Sequence, residues 1–349
     1  MQKLFYRENS FIGLDINSTD IKVMAIDPKR WVVLGYGAAD VDAREMKKVF
    51  EEGGDYLSLN LKKLMSEKII GKLPSSQVVV SLPTSHTYSR TFSIPTSAEK
   101  NLREAVELEV SQYVPIPVSL LYIDYEIVAR TKESVTVIMS AVPQAIINSI
   151  VSSCNDADLT PNVIEPSINA VARLLKITED GSLSTLIVDI GAANTDIAVL
   201  DDMIRVTGSV GVGGNSFTLS IAKKLGVTLE NAHQLKVLNG LNAGPRQKKI
   251  TSALEPDLKK IVAETRRVIR YYNERLDGKN IEQVLIVGGG SNVPGIGEYF
   301  TNELMMAARV ASPWQKLDFG ALEQPAKQFR PRYITVAGLG SLAFEEVWQ

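Results

Sequence analysis

Cysteine is almost absent. The chain of 349 residues has one, Cys154, which excludes an internal disulfide framework and fits a reducing compartment. A lone thiol of this kind reads as structural before it reads as reactive. Charge of one sign is also missing. The 38 Lys and Arg nearly balance the 40 Asp and Glu, a net of −2, so no global basic field points to nucleic acid and no acidic tail appears. No stretch approaches the ~18 apolar residues of a membrane-spanning helix. The opening MQKLFYRENSF lacks the continuous apolar core of a secretory leader, and the closing SLAFEEVWQ carries no basic amphipathic anchor. These absences predict a soluble cytoplasmic protein that meets a membrane only through a partner. What remains is 45% hydrophobic and long enough for one large or two medium domains with proper cores.

The organising feature is an internal repeat. FIGLDINSTDIKVMAID, from Phe11 to Asp27, and TLIVDIGAANTDIAVLDD, from Thr185 to Asp202, share one plan. Each has an apolar run closing on Asp-Ile, a turn of small polar residues, and a second Asp-Ile run. Each predicts a hairpin that starts a half of the molecule, followed by further strands and helices.

Between and after the hairpins the pattern is mixed α/β. WVVLGYGAADV reads as a third strand, Tyr56–Lys68 as a helix and QVVVSLP as a short buried strand. The character then changes. YSRTFSIP reads as a strand, and Thr96-Ser97-Ala98-Glu99 matches a capping box opening a helix to about Val114, where Pro115 and Pro117 stop it. LLYIDYEIVAR and SVTVIMSAVP follow as strands, then Gln144–Asp156 as a helix, an order that suits a compact inserted module. EPSINAVARLL reads as a helix entered through Glu165-Pro166, LENAHQLKVL as a short helix, and NGLNAGPRQKKI as loop. Pro256–Leu276 is expected to be a long helix with Leu258, Ile261, Val262, Val268, Ile269 and Tyr272 on one face. Arg266, Arg267 and Arg270 lie off that face and read as a solvated basic surface rather than an anion site. The end, YITVAGLGSLAFEE, reads as a glycine-interrupted helix.

A tight hairpin turn leaves backbone N–H groups converging on a concavity that suits anions, and small residues let a phosphate approach closely. Gly191 with Ala192 and Ala193 supplies such a turn, as does Asn17-Ser18-Thr19; the hydroxyls of Ser18, Thr19 and Thr195 and the amide of Asn194 add donors. A carboxylate beside phosphate makes sense when a hard divalent cation lies between them, and Mg²⁺ commonly takes one or two carboxylates together with phosphates. Asp15 and Asp189, one per hairpin, are placed for this, and Lys22 is placed to point at a phosphate oxygen. VGGGSNVPG ends a strand in Gly288, Gly289 and Gly290 before Ser291, which allows a flat ring to lie on backbone; it lacks the G-x-G-x-x-G spacing of a dinucleotide fold. Gly213-Gly214-Asn215 opens another helix, where an anion is favoured.

In order, DINSTDIK, EPSINAVA, DIGAANTDI, VGGNSFT and VLIVGGGSNVPG resemble the five motifs of the actin-like ATPases, the superfamily of actin, sugar kinases, DnaK-type chaperones and FtsA. Within it the chain resembles the PilM family of type IV pilus assembly. LEVSQYVPIPVSLLYIDYEI is similar to that family's inserted segment, and the chain ends without FtsA's membrane tail. The resemblance implies an α/β actin-like ATPase fold of two lobes, each with an RNase-H-like core. It implies subdomain 1A over 1–82, 160–183 and 333–349, a 1C insertion over 83–159, subdomain 2A over 184–226 and 281–332, and subdomain 2B over 227–280. It implies ATP with Mg²⁺ between the lobes. Asp15, Asn17, Ser18, Thr19 and Lys22 would serve the first phosphate loop; Asp189, Gly191, Asn194 and Thr195 the second. Gly213, Gly214 and Asn215 would reach ribose and phosphates, and Gly288, Gly289, Gly290 and Ser291 would back the adenosine beside Lys236. Glu165 falls where relatives orient an attacking water. Asn17 stands where glycine is usual, Ala192-Ala193 where two glycines are common, and His233 where glutamate is usual. These departures argue against tight affinity and fast turnover. His233 reads equally as a surface histidine or an adenosine contact, and His86 as structural.

The function so implied is a cytoplasmic ATP-binding scaffold of the pilus assembly platform. It would grip the N-terminal tail of a PilN-like membrane protein, couple to the pilus motor ATPases and hydrolyse ATP weakly if at all. A small-molecule kinase is the enzymatic alternative, but no acceptor-side base is visible outside the phosphate loops. An FtsA-like polymerising protein is the third reading.

Overall fold

The structure is a computed structural model and describes residues 11–179, 181–242, 247–276 and 279–342. The N-terminal segment MQKLFYRENS, residues 243–246 and the last seven residues, on which some of the expectations above fall, lie outside the described residues. The strands are β1 (Ile12–Ile16), β2 (Asp20–Asp27), β3 (Val32–Asp40), β4 (Ile69–Gly71), β5 (Gln77–Leu82), β6 (Tyr88–Pro95), β7 (Leu121–Arg130), β8 (Ser134–Pro143), β9 (Thr160–Pro166), β10 (Thr185–Ile190), β11 (Thr195–Asp201), β12 (Met203–Val210), β13 (Gln283–Val287) and β14 (Ala308–Val310). The helices are α1 (Ala43–Glu52), α2 (Tyr56–Glu67), α3 (Leu102–Tyr113), α4 (Gln144–Asp156), α5 (Ser167–Thr178), α6 (Gly214–Leu225), α7 (Leu229–Leu238), α8 (Gln247–Arg275), α9 (Ile296–Leu304) and α10 (Ile334–Gly340).

The chain divides into two compact units, one of residues 1–83, 145–178 and 313–349, the other of residues 84–144 and 179–312. The first is built on a six-stranded sheet in the order β4-β3-β2-β1-β5-β9. The hairpin β1–β2 is antiparallel, whereas β5 joins β1 in parallel, the pattern of a crossover connection. Every residue of β1 is buried, as a strand covered on both faces requires. The last helix, α10, lies directly on β1 and on α5. Glycine permits this approach: a Cβ on Gly338 would collide with the backbone of Ala170. Cys154 on α4 is fully buried, and burial pushes its thiol up to about 12, so it acts as a small apolar side chain.

The second unit carries an eight-stranded sheet in the order β14-β13-β10-β11-β12-β6-β8-β7. Its hairpin β10–β11 is antiparallel, with β13 parallel to β10, which repeats the arrangement of β1, β2 and β5. The strand repeat expected from the sequence is therefore a repeat of topology. The inserted strands β6, β7 and β8 extend the same sheet and close their own core with Val106 and Val110 of α3.

Two local expectations change. The Thr96–Glu99 segment forms a 3-10 turn, Thr96–Asn101, and α3 begins only at Leu102 without a side-chain cap bond. Helix α8 begins nine residues before Pro256 and runs through it. Ile250, Ala253 and Leu254, which precede the proline, are buried in the same core as Leu258, Ile261 and Tyr272. Each fully buried side chain of leucine size contributes about 1.5–3 kcal/mol, enough together to outweigh the roughly 3 kcal/mol cost of an interior proline. Arg266 donates to the Glu303 carbonyl and carboxylate, and Arg267 pairs with Glu264, as a solvated face would.

Candidate functional site

The first hairpin holds a sealed set of charges. The Lys22 ammonium lies 2.8 Å from Asp15 Oδ2 and 2.5 Å from Asp20 Oδ1. The Asn17 amide donates to the same Asp15 oxygen at 2.9 Å, and the Ser81 hydroxyl donates to the other at 2.6 Å. Asp15 is 1% exposed and Lys22 is 3% exposed, so water does not compete for these bonds. Arg332 closes the outer side, donating to Asp20 at 3.0 Å and to Asp40 at 2.8 Å. Burial alone would push the Lys22 ammonium down; the charges and hydrogen bonds of Asp15 and Asp20 outweigh it and hold Lys22 above its ordinary value. Burial likewise acts to raise Asp20, and Lys22 with Arg332 overcomes it and lowers that carboxyl. Ser18 and Thr19 stand half-buried at the tip of this turn.

Glu165, at the end of β9, is one strand away. It pairs in register with Ser81 on β5. Both its carboxylate oxygens accept from the Arg173 guanidinium, at 2.9 and 2.7 Å, and Arg173 also donates to the Gly338 carbonyl at 3.0 Å. Sequence reasoning named Asp15, Lys22 and Glu165 but missed Ser81, Arg173 and Arg332. Ser81 carried a faint signal, as the polar residue near the end of the apolar run QVVVSLP. Arg332 carried none, being 312 residues from its partner Asp20.

The second hairpin is built alike but charged differently. In both turns the same position donates its backbone N–H across the tip: Asn17 to Asp20 and Gly191 to Asn194, each at 2.9 Å. Asp15 faces Lys22 in the first register, whereas Asp189 faces Asp196 in the second. Asp196 accepts from the Ser209 hydroxyl at 2.6 Å.

Two backbone turns converge on the second hairpin. The N–H of Gly214 donates to the Gly191 carbonyl and that of Asn215 to the Ala192 carbonyl, both at 2.9 Å. A Cβ on Gly213 would stand 2.7 Å from both the Gly191 and Ala192 carbonyl oxygens. A Cβ on Gly290 would strike the Ile190 side chain and approach Gly191 O to 2.9 Å. Glycine at these two positions is thus what lets the turns stack. Gly288 and Gly290 are buried in that stack, while Gly289 and Asn215 are exposed at its surface. Thr195 and Ser291 point inward: their hydroxyls donate to Val212 O and Gly288 O, each at 2.7 Å.

Lys236 lies beneath the junction. Its ammonium donates to Gly214 O and Thr218 Oγ1, both at 2.9 Å, and burial pushes its pKa down to about 8. His233, one turn earlier on α7, is lowered by burial and then by Lys236. The Asn194 amide, at the tip of the second hairpin, donates to the Ser85 hydroxyl at 3.3 Å.

The second unit fits the group that the motifs imply. Small residues line the turn, the N-terminus of α6 lies against it, and a cation sits beneath, features that favour an anion. At Asp15 the fit is poorer, because a lysine already occupies the carboxylate. Among the described residues, no group of three or more His, Cys, Asp or Glu side chains is placed to hold a metal ion alone.

The model of the family described as type IV pilus assembly protein PilM matches residues 13–344. The chain belongs to the PilM family. A solved PilM–PilN type IV pilus biogenesis complex contains a chain 21% identical to this one, with a TM-score of 0.78 over 96% of this chain and 98% of that chain. The ethanolamine utilization protein EutJ from Carboxydothermus hydrogenoformans is 15% identical, with a TM-score of 0.54 over 96% of this chain and 90% of that one. The fold is the two-lobed actin-like α/β fold, as in other PilM-family members. Among the described residues no helix is long and apolar enough to cross a membrane.

Proposed function

We propose that this PilM-family chain is a nucleotide-binding scaffold of type IV pilus assembly. It holds the N-terminal tail of a PilN-like membrane protein through the inserted β6–β8 module and links that protein to the motor ATPases on the inner face of the cytoplasmic membrane. The observation that carries the reading is the family match across residues 13–344, which takes in the module as well as both hairpins. The fold shared with the PilM chain of a PilM–PilN complex supports the choice of partner class. An extended tail suits the module, whose strand β7 is the last in its sheet and presents Tyr122 at its surface.

ATP is the nucleotide we assign, with its phosphates at Gly191–Thr195 and at Gly213, Gly214 and Asn215, and its base along Gly288–Ser291 near Lys236. Mg²⁺ accompanying the phosphates is assigned to Asp189, opposite Asp196. Bound there, it would supply charge neutralisation for the phosphates. Asp15 and Glu165, each tied to a cation of the chain itself, are given roles only through water, which favours binding over efficient hydrolysis. In the first unit, Asn17, Ser18 and Thr19 at the half-buried hairpin tip are the proposed phosphate-facing residues, while Lys22 is held between Asp15 and Asp20 and supports that turn from within. Nucleotide state is proposed to bias partner binding by favouring one conformation over another.

Calorimetric titration of Mg²⁺-ATP and of a PilN-like N-terminal peptide into the purified chain tests this. Wild type is expected to bind both, and Asp189→Ala to lose the nucleotide while keeping the peptide. A chain that binds ATP but no such peptide overturns the scaffold reading.

A further inference from the structure

Asn194 serves two neighbours. Its main chain closes the tip of the second hairpin, and its side-chain amide reaches the hydroxyl of Ser85 at 3.3 Å. Ser85 is exposed and lies in the 3-10 turn Thr84–His86 that starts the inserted module. The tip that is assigned to phosphate is therefore also the tip that holds the first turn of the partner-binding module.

The module has a second attachment to the same unit, of a different kind. Val206 on β12 bridges Arg90 on β6. The Thr91 hydroxyl donates to Arg205 O at 2.7 Å, and Arg90 Nε donates to the Tyr271 hydroxyl at 2.9 Å. The Arg90 guanidinium lies over two rings, 4.9 Å from the centre of Tyr113 and 5.6 Å from that of Tyr271. This attachment is multivalent and half-buried. The Ser85–Asn194 bond is long and open to water, so it yields more readily than the Arg90 attachment.

A phosphate oxygen competes well for that amide, since a hydrogen bond to an ionised acceptor is about twice as strong as one to a neutral hydroxyl. The segment beyond the bond is ready to move. Thr87 is 9% exposed, and its hydroxyl is buried without a hydrogen-bond partner, a cost that release into water would remove. We propose that Ser85 and Asn194 form a latch that the phosphate of a nucleoside triphosphate opens, freeing the first turn of the inserted module while the Arg90 attachment holds it at β6. The latch rests on the nucleotide-binding reading above and adds the route by which an occupied hairpin reaches the partner-binding module. Ser85 acts through Asn194 and is a positioning residue.

Hydrogen exchange of the full chain tests it, with and without saturating Mg²⁺-ATP, read at the Thr87 amide. That amide donates to Thr84 O at 2.9 Å and reports the turn directly. ATP binding is measured by calorimetry on the same samples. In wild type, ATP is expected to speed Thr87 exchange severalfold. Ser85→Ala is expected to exchange fast without ATP, to show no further response, and to bind ATP about 2- to 10-fold more tightly because the competing bond is gone. Ser85→Thr keeps the hydroxyl and is expected to restore the response. ATP binding that leaves wild-type Thr87 exchange unchanged overturns the latch alone, as does a Ser85→Ala chain that responds like wild type. A wild-type chain that binds no ATP overturns both the nucleotide reading and the latch.

Discussion

The Lys22 ammonium lies 2.8 Å from Asp15 Oδ2 and faces it across the first hairpin, while the matching position of the second hairpin sets Asp196 opposite Asp189. The two repeats thus share a backbone and differ in charge. The first is neutralised from within. The second sets Asp196, which accepts from the Ser209 hydroxyl, in register with Asp189. Mg²⁺-dependent binding is accordingly expected to respond to Asp189 more than to Asp15.

Removing the lysine tests the sealed cluster. Lys22→Met leaves the buried carboxylates Asp15 and Asp20 without their shared cation and is expected to destabilise the chain by about 3–5 kcal/mol. Urea unfolding at neutral pH measures this. Adding Asp15→Asn and Asp20→Asn to Lys22→Met should recover a large part of the loss, because neutral amides need no counter-charge. A Lys22→Met chain as stable as wild type would show that the cluster is solvated in solution.

Lys236 sets a pH dependence. Its folded pKa of about 8 lies below its ordinary value of 10.5, so the folded state penalises the charged form. Below pH 8 both folded and unfolded chains carry the proton, and the penalty is fully present. Between about 8 and 10.5 the unfolded chain keeps its proton while the folded chain sheds it, so stability rises with pH. The gain is on the order of 3 kcal/mol. Denaturant unfolding from pH 7.5 to 10, with Lys236→Met alongside, isolates it. The difference between wild type and variant should grow in favour of wild type as pH rises.

Gly213→Ala inserts a methyl group against the Gly191 and Ala192 carbonyl oxygens. Both are backbone atoms and cannot swing away, so the glycine turn must lift from the hairpin. A cost of about 1–3 kcal/mol is expected, with loss of nucleotide affinity larger than that stability change would explain. Thermal unfolding and ATP titration of the same variant separate the two effects.

Arg90→Ala removes one hydrogen bond and two ring contacts at the module's attachment. These sum to about 1–3 kcal/mol. The loss is expected to be local: hydrogen exchange should rise in β6 and α3, while the core around Phe217 and Leu254 keeps its protection. Uniformly raised exchange across the second unit would show that the module and the rest of that unit unfold as one.

Much of this organisation was legible in the sequence because it is local. Alternating and continuous apolar runs around Asp-Ile turns mark the two hairpins, and glycine before a helix marks the third turn. Where distant packing decided the outcome, local reading fell short. A proline that looked like a helix start lies inside α8, because Ile250 and Leu254 before it belong to the core. A capping-box pattern at Thr96–Glu99 became a 3-10 turn instead.

The sequence by itself determined the repeated hairpins, the small residues at their tips and the aspartates at their bases, since strand period and turn chemistry act between near neighbours. Only the tertiary structure decided what those aspartates touch. Ser81 reaches Asp15 from β5, Arg332 reaches Asp20 from the far end of the chain, and Ser85 reaches Asn194 from the start of the inserted module. Hydrogen bonds and ion pairs of this kind depend on positions in space to within a few tenths of an ångström, and spacing along a chain does not encode them.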